Sequence, residues 1–539
     1  LTDYYDSKAT EDAMFDVLIK GGTVVDGTGS PGYRADVGIT GDKITSIGNL
    51  SQAEARHIID ATGLIVSPGF IDSHAHSDGA LLFDPQHANG LRQGITTEIL
   101  GQDGLSYAPL SPENYRMNRR YLAGILGEPP EDLDMSSVAA FRSHYDNKVS
   151  INTAYNIAHG AIRIETVGFR DAPLTGDALD KAKQLVREGM EQGAVGLATG
   201  MSYMPNAWSD TDELIELCKV VREYGGVYVT HLRDVNTDRG FGGGGIPEAL
   251  EIGRRSGVKV HFSHHRTAPN NAGQVAERME LVDKAKAEGV DVTLELYPYP
   301  TGSTFPASFL PPEVHEGGPD AIMERLRDSD ERRRLIDNLN EGKHRSLDDA
   351  VLTYVPRNKH LEGMSLPDIA RDRGVSMGEA IIDLLIDEEL QVCYRGAPPD
   401  SVAVWRQVSR DCMEFLSRPD YMVGSDSIPI GSLPHPRAYG CFPRFLGRLR
   451  REYGLLGLED TVQRMTENPA RRFSLANRGV IKEGNFADIV VFDDEHIIDN
   501  ATYDDPVQFP TGIPFVIVNG RVAVDHERCT GVLAGQAVP

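Results

Sequence analysis

The sequence predicts an α/β chain in which a (β/α)8 barrel of the TIM type is inserted into a small β-sandwich built from both chain ends. Three observations predict it. Short β runs broken by turn residues occupy both ends of the 539-residue chain, whereas β runs alternate with charged helical patterns through its middle. The middle holds eight such runs, the number a closed parallel barrel needs. Histidines and carboxylates then recur just where those runs end, on the face where barrels of this kind carry their chemistry.

Taken in order, residues 1–14 read as a polar, acidic extension with no periodicity and none of the features of a signal peptide. From 15 to 64, β runs at 16–20, 23–26, 36–39 and 43–47 are punctuated by Gly-Gly, Asp-Gly and Gly-Asp. The same texture returns over 475–539, with runs at 487–492, 515–519 and 521–525 and Asn519-Gly520 as a hairpin turn. The two ends are therefore assigned to one sandwich. Residues 65–474 form the predicted barrel, with β runs at 65–72, 95–101, 150–158, 194–199, 227–231, 258–264, 290–297 and 421–426. Helical patterns such as 177–193, 212–224 and 274–289 separate them, as right-handed crossovers require. A doubly wound open sheet gives the same alternation, because strand count does not establish closure. Between the seventh and eighth runs, about 301–390, lies a charge-rich helical insertion that belongs over the active face, where a lid acts.

Net charge is −26, from 54 Lys and Arg against 80 Asp and Glu, which argues against nucleic acid or an anionic membrane surface as partner. An anionic small molecule stays compatible, since local cations decide that. The five cysteines (Cys218, Cys393, Cys412, Cys441, Cys529) are odd in number and lack CxxC spacing, a pattern of free thiols in a reducing cytoplasm. No apolar run approaches the ~20 residues of a membrane span.

The chemistry gathers around Leu64-Ile-Val-Ser-Pro-Gly-Phe-Ile-Asp-Ser-His-Ala-His-Ser-Asp78. In a strand, alternate residues share a face, so His74 and His76 point the same way where the run ends. Two neutral imidazoles on one edge can hold a metal ion. The pair alone is weak evidence: chance gives roughly half an HxH in a chain with this many histidines, and two solvated loop histidines are the bland reading. The other run ends strengthen it. They supply Asp103, His159, His231, His264, Tyr297 and Asp426, each a metal-ligand type or a polar group able to act on a substrate. Taken singly, a histidine is more often a hydrogen-bonded structural residue, and Asp426 has a helix-capping role as its plain alternative.

Several motifs together resemble the N-acyl-D-amino-acid deacylases, or D-aminoacylases, of the amidohydrolase superfamily, and the resemblance runs from about residue 15 over nearly the whole chain. They are Asp16-Val-Leu-Ile-Lys-Gly-Gly-Thr-Val-Val-Asp-Gly-Thr-Gly, Pro68-Gly-Phe-Ile-Asp-Ser-His-Ala-His and Gly94-Ile-Thr-Thr. Gly193-Ala-Val-Gly-Leu-Ala-Thr-Gly, Thr230-His-Leu-Arg and Ser263-His-His-Arg follow, then Gly424-Ser-Asp426, His435-Pro-Arg and Asn485-Phe-Ala-Asp-Ile-Val-Val-Phe-Asp. The resemblance implies that His74, His76, His231 and His264 ligate metal and that Asp426 is both ligand and general acid/base. A divalent ion lowers the pKa of water and polarises an amide carbonyl, and a carboxylate beside it can move the proton to the departing amine.

One departure stands out. Where the family commonly has Gly-Asn-Cys-Gly, this chain has Gly101-Gln102-Asp103-Gly104, with Asp103 at the cysteine position. A carboxylate is a harder ligand than a thiolate and can bridge two ions. The expected cofactor is therefore one or two divalent ions, Zn2+ first, with Mn2+ or another harder ion admitted. Glu98 is a weaker bridging candidate. The resemblance also implies that Arg266, in place of the usual lysine, and Tyr297 bind a substrate carboxylate, which a guanidinium fork suits. Arg437 is a second candidate cation. His159 is read equally as a substrate contact or as a buried hydrogen-bonding residue. The expected reaction is hydrolysis of a linear amide on a small carboxylate-bearing substrate, namely deacylation of an N-acyl-D-amino acid. Hydrolysis of a cyclic amide or a dipeptide on the same scaffold, and a non-catalytic homologue, are the alternatives.

Overall fold

A computed structural model of the chain describes residues 14–342 and 347–538, so the predicted extension, save for Met14, lies outside the described residues. Pro68 and Gly69 divide the run 65–72, read above as one barrel strand, between two sheets. Ile65–Pro68 pairs antiparallel with Ile489–Phe492 in the sandwich, and only Phe70–Asp72 enters the barrel. Glycine is needed at the crossing because a Cβ on Gly69 would lie 2.2 Å from Thr96 Oγ1.

The barrel strands are β1 (Phe70–Asp72), β2 (Ile95–Leu100), β3 (Asn152–Ala158) and β4 (Gly196–Gly200), followed by β5 (Val227–His231), β6 (Lys259–Phe262), β7 (Val292–Leu296) and β8 (Tyr421–Val423). Neighbours in this order are parallel throughout. The ends of the sheet then meet. Ser73 N donates to Val423 O (3.2 Å), Asp426 N to His74 O (2.8 Å) and His76 N to Ser427 O (2.9 Å), so the sheet is closed. Ile71, Ile99, Ala154, Ala198, Val229 and Met422, from six different strands, pack in one cluster, as only inward-facing residues of a closed barrel can. Fully burying an aliphatic side chain of this kind contributes about 1.5–3 kcal/mol. Val538 joins this cluster, and Val538 N donates to Thr153 O, so residues near 538 plug the floor of the barrel.

Four strands, Phe15–Lys20, Asp36–Thr40, Lys43–Gly48 and Ala55–Asp60, form one sheet of the sandwich. The facing sheet has seven strands drawn from both ends of the chain, and Val17, Ile19, Val37, Val66, Ile489, Val491 and Phe515 fill the space between the two. The Asn519-Gly520 turn has φ of 44° and 74°, the left-handed pair that a tight hairpin requires. The strand at 55–60 was not anticipated, since its outward residues obscure the alternation.

The insertion carries more than helices. Ser303–Thr304, Ala350–Tyr354 and Cys393–Gly396 make a three-stranded antiparallel sheet, packed with helices such as Pro319–Arg327 and Met377–Asp387. No helix among the described residues is long and apolar enough to cross a membrane.

Candidate metal centre and active site

His74 and His76 lie just past β1, Asp103 just past β2, His231 at the end of β5, His264 just past β6 and Asp426 just past β8. The runs 258–264 and 421–426 were expected to remain strand to their ends. They stop at Phe262 and Val423 instead, and His264 and Asp426 occupy left-handed turns with φ of 36° and 52°. Asp103 is left-handed too, at 56°. Such backbone costs about 1–3 kcal/mol at a non-glycine residue and collects where function demands a side-chain direction, though Asp tolerates it better than His.

The six side chains converge. His74 Nε2 lies 3.3 Å from His76 Nε2 and 3.5 Å from Asp426 Oδ1, while His76 Nε2 lies 3.2 Å from the same oxygen. Across the cleft, His231 Nδ1 is 3.0 Å from His264 Nε2. Asp103 stands between the two groups. Its Oδ1 is 3.8 Å from His74 Nε2, and its Oδ2 is 3.6 Å from both His76 Nε2 and His231 Nδ1 and 4.0 Å from His264 Nε2. One carboxylate thus reaches a ring nitrogen of all four histidines.

Two donor sets fit a metal ion: His74, His76 and Asp426, and His74, Asp103 and His264, with ligand atoms within 4.8 Å of one another in each. Bonds of about 2 Å from nitrogen or oxygen to an ion need donors no further than ~4 Å apart, so small side-chain adjustments close either set. The electrostatics favour positive charge at this point. Burial works against charge on His74, yet Asp103, Glu295 and Asp426 outweigh it and lift its pKa to about 10. Burial likewise opposes ionisation of Asp103, but His74, His231 and His76 hold it well below the usual carboxylate range. His264 goes the other way: burial, with His231 beside it, pushes it down to about 3, which leaves it a neutral donor. Buried carboxylates that favour positive charge among imidazole nitrogens are the chemistry of a site where a divalent ion can take the place of protons.

Arg437, expected to meet a substrate carboxylate, is fully buried and pairs through Nη1 with Asp426 Oδ2 at 2.7 Å. Burial opposes the charge on Asp426, and Arg437 and His74 overcome it, so its carboxyl stays below the ordinary range. Tyr297 lines the cleft of about 260 Å³ together with His76, Asp103, His231, His264 and Asp426. Arg266 stands behind it, donating through Nη2 to Tyr297 Oη (2.9 Å), and the guanidinium carbons of Arg266 and Arg437 lie 4.4 and 4.6 Å from the Tyr297 ring centre. Gly302, Ser303 and Thr304, from the start of the insertion, and Tyr394 and Gly396, just past its expected end, also line the cleft.

Of the two readings of His159, the geometry fits the buried hydrogen-bonding residue and not the substrate contact: its Nδ1 faces Asn206 Oδ1 (3.1 Å) and its Nε2 faces Glu213 Oε1 (2.9 Å), which also binds Arg163. Both ring nitrogens are used inside the protein, away from the cleft. Glu98 does not bridge the centre either, because its Oε1 is 2.6 Å from His87 Nε2.

Four residues escaped the sequence reading. Glu295, two positions before Tyr297 on β7, meets His74 Nδ1 at 2.8 Å and so orients that ring with Nε2 toward the cleft. A glutamate inside an apolar strand was the available signal. Asp72 accepts from His74 N (3.1 Å) and Ser425 N (2.8 Å), and burial beside Glu98 raises its pKa to about 8. Ser202 and Asp234 adjoin His231 and left no signal in the sequence.

A family model described as the amidohydrolase family matches residues 57–524. This chain belongs to the amidohydrolase family. Among its relatives, the D-aminoacylase of Alcaligenes xylosoxydans xylosoxydans is 32% identical over 535 residues, covering 97% of each chain. The N-acyl-D-glutamate deacylase of the same organism is 34% identical over 509 residues, 94% of this chain and 93% of that one. A solved N-acyl-D-glutamate deacylase from Bordetella bronchiseptica, complexed with zinc and a phosphonate mimic of the tetrahedral intermediate, superposes with a TM-score of 0.80 at 32% identity, over 97% of this chain and 99% of that one. The amidohydrolase described here therefore shares with a zinc-containing deacylase the barrel that gathers its own histidines and aspartates.

Proposed function

We propose that this amidohydrolase cleaves the amide of an N-acyl-D-amino acid, releasing a carboxylate and a free D-amino acid. The observation that carries the reading is the meeting of His76, His231, His264, Asp103 and Asp426 in one cleft, with His74 against His76 and Asp426 behind them, and with Tyr297 backed by Arg266 as its wall. Relatives named for D-aminoacylase and N-acyl-D-glutamate deacylase activity support the D configuration. His74, His76, Asp103, His231, His264 and Asp426 would hold one or two divalent ions, zinc first and Mn2+ admitted by the harder Asp103. Such an ion, when bound, makes water more acidic and an acyl carbonyl more electrophilic. Asp426 presents Oδ1 to the cleft while Arg437 pins Oδ2, so it accepts the proton of the attacking water and returns it to the amide nitrogen as the C–N bond breaks. Tyr297 and Arg266 orient the substrate carboxylate, while Arg437 is spent on Asp426. Five cysteines without a disulfide support a cytoplasmic setting.

A screen of N-acyl-D-amino acids, their L enantiomers, cyclic amides and dipeptides tests the substrate class, with and without chelator. Hydrolysis confined to the D-acyl compounds and lost on chelation is the expected result. Turnover of cyclic amides or dipeptides alone, or full activity in a metal-free preparation, contradicts the proposal.

Arg266→Ala tests the carboxylate contact. It should lower kcat/KM by roughly 2–5 kcal/mol on carboxylate substrates, the cost of stripping one partner from a buried charge pair. Amidated analogues, poor to begin with, should change little. Equal losses on both would show that Arg266 supports Tyr297 or the fold instead.

A further inference from the structure

We propose that Ser202 and Asp234 form a positioning relay that fixes the tautomer of His231 and with it the nitrogen His231 offers to the metal; the inference rests on the reading of His231 as a ligand. Ser202 follows β4 by two residues, and Asp234 lies three residues past His231 at the end of β5. Ser202 Oγ sits 2.7 Å from His231 Nε2 and donates to Asp234 Oδ1.

The proton count decides the direction. A serine hydroxyl has one proton, and a carboxylate only accepts. With that proton given to Asp234, Ser202 Oγ can only accept from His231, so Nε2 carries the ring hydrogen. Nδ1 is then left with its lone pair, and it is Nδ1 that faces His264 Nε2 at 3.0 Å and Asp103 Oδ2 at 3.6 Å. His74 is set the opposite way. Glu295 takes its Nδ1 directly, and its Nε2 faces the cleft. The centre thus uses a carboxylate to orient each of two rings, one by direct contact and one through a hydroxyl, and from opposite ring nitrogens.

The relay predicts different results for near-isosteric changes. Ser202→Ala removes the acceptor that holds Nε2–H. Asp234→Asn can turn its amide NH2 toward Ser202, which frees the hydroxyl proton to point at Nε2 and favours the tautomer with hydrogen on Nδ1. Ser202→Thr keeps the hydroxyl, and its added methyl has room because Ser202 borders a cavity of about 120 Å³ with Tyr121, Met204 and Leu310.

Zinc affinity and stoichiometry should be measured by competition with a chromophoric chelator, on wild type and on Ser202→Ala, Ser202→Thr, Asp234→Asn and His231→Ala. Circular dichroism of the metal-free proteins checks folding. Ser202→Ala and Asp234→Asn should bind zinc about 10–100-fold more weakly. Ser202→Thr should stay near wild type, and His231→Ala should lose the ion its ring holds. Wild-type affinity in Ser202→Ala and Asp234→Asn, beside a loss in His231→Ala, overturns the relay and leaves the ligand reading standing. Unchanged affinity in His231→Ala overturns both. Should Ser202→Ala not fold, Asp234→Asn decides alone.

Discussion

Asp426→Asn is expected to lower kcat by about 10²–10⁴-fold or more while leaving the protein folded. Arg437 Nη1 lies 2.7 Å from Asp426 Oδ2 and can only donate, so an asparagine must turn its carbonyl oxygen toward Arg437. Its NH2 then occupies the place of Oδ1, 3.2 Å from His76 Nε2, and offers the cleft hydrogens where a lone pair was needed. Water activation and protonation of the leaving amine fail together. The left-handed backbone at 426 accepts asparagine as well as aspartate, so stability should hold. Steady-state kinetics with a D-acyl substrate, alongside thermal unfolding, checks both halves. A variant that keeps a tenth of the wild-type kcat would show that another group moves the proton.

Asp103 should prove equally costly, for a different reason. Its two oxygens lie within 4.0 Å of a nitrogen on each of the four histidines, a position from which one carboxylate can serve two ions and offset their repulsion. Asp103→Ala should therefore lose metal and activity together, whereas Asp103→Cys should retain zinc and change which metals support turnover. Asparagine is the informative control, because it suits the left-handed turn at φ 56° that alanine strains. Titration of metal-free wild type and Asp103→Asn with Zn2+ and Mn2+ gives the answer. Matching stoichiometry and activity in the two would remove Asp103 from the centre and leave it a turn residue.

Much of this arrangement is legible from the chain because a barrel converts strand ends into neighbours. His74, His76, Asp103, His231, His264 and Asp426 are scattered over some 350 positions, yet each stands at or just past the end of a β run, and the strand-end pattern together with the resemblance to the deacylases singled them out. The parts that stayed hidden depend on contacts that no period encodes. His159 occupies an equivalent strand-end position, but Glu213 and Asn206 claim its ring from neighbouring elements. The division at Gly69 could not be read from a run whose residues are apolar in both sheets. The Ser202–His231 contact depends on the register of neighbouring strands, in which Gly200 pairs with His231, and Ser202 resembles any turn serine. The small sheet of the insertion pairs Ser303–Thr304 with residues 90 positions later, beyond the reach of local pattern.

The seam that closes the barrel has a consequence for how the protein comes to hold metal. His74 and His76 follow the first strand, Asp426 follows the last, and the hydrogen bonds between Asp426 N and His74 O and between His76 N and Ser427 O tie the two together. A chain whose eighth strand has not docked possesses the two histidines without the carboxylate. On the proposed reading of these residues as ligands, the full donor set exists only in chains that have completed the circle, and an ion bound to that form alone would offset, by mass action, part of the entropy lost in bringing such distant segments together. The residues proposed to prepare water for attack on an amide thus sit at the clasp of the fold.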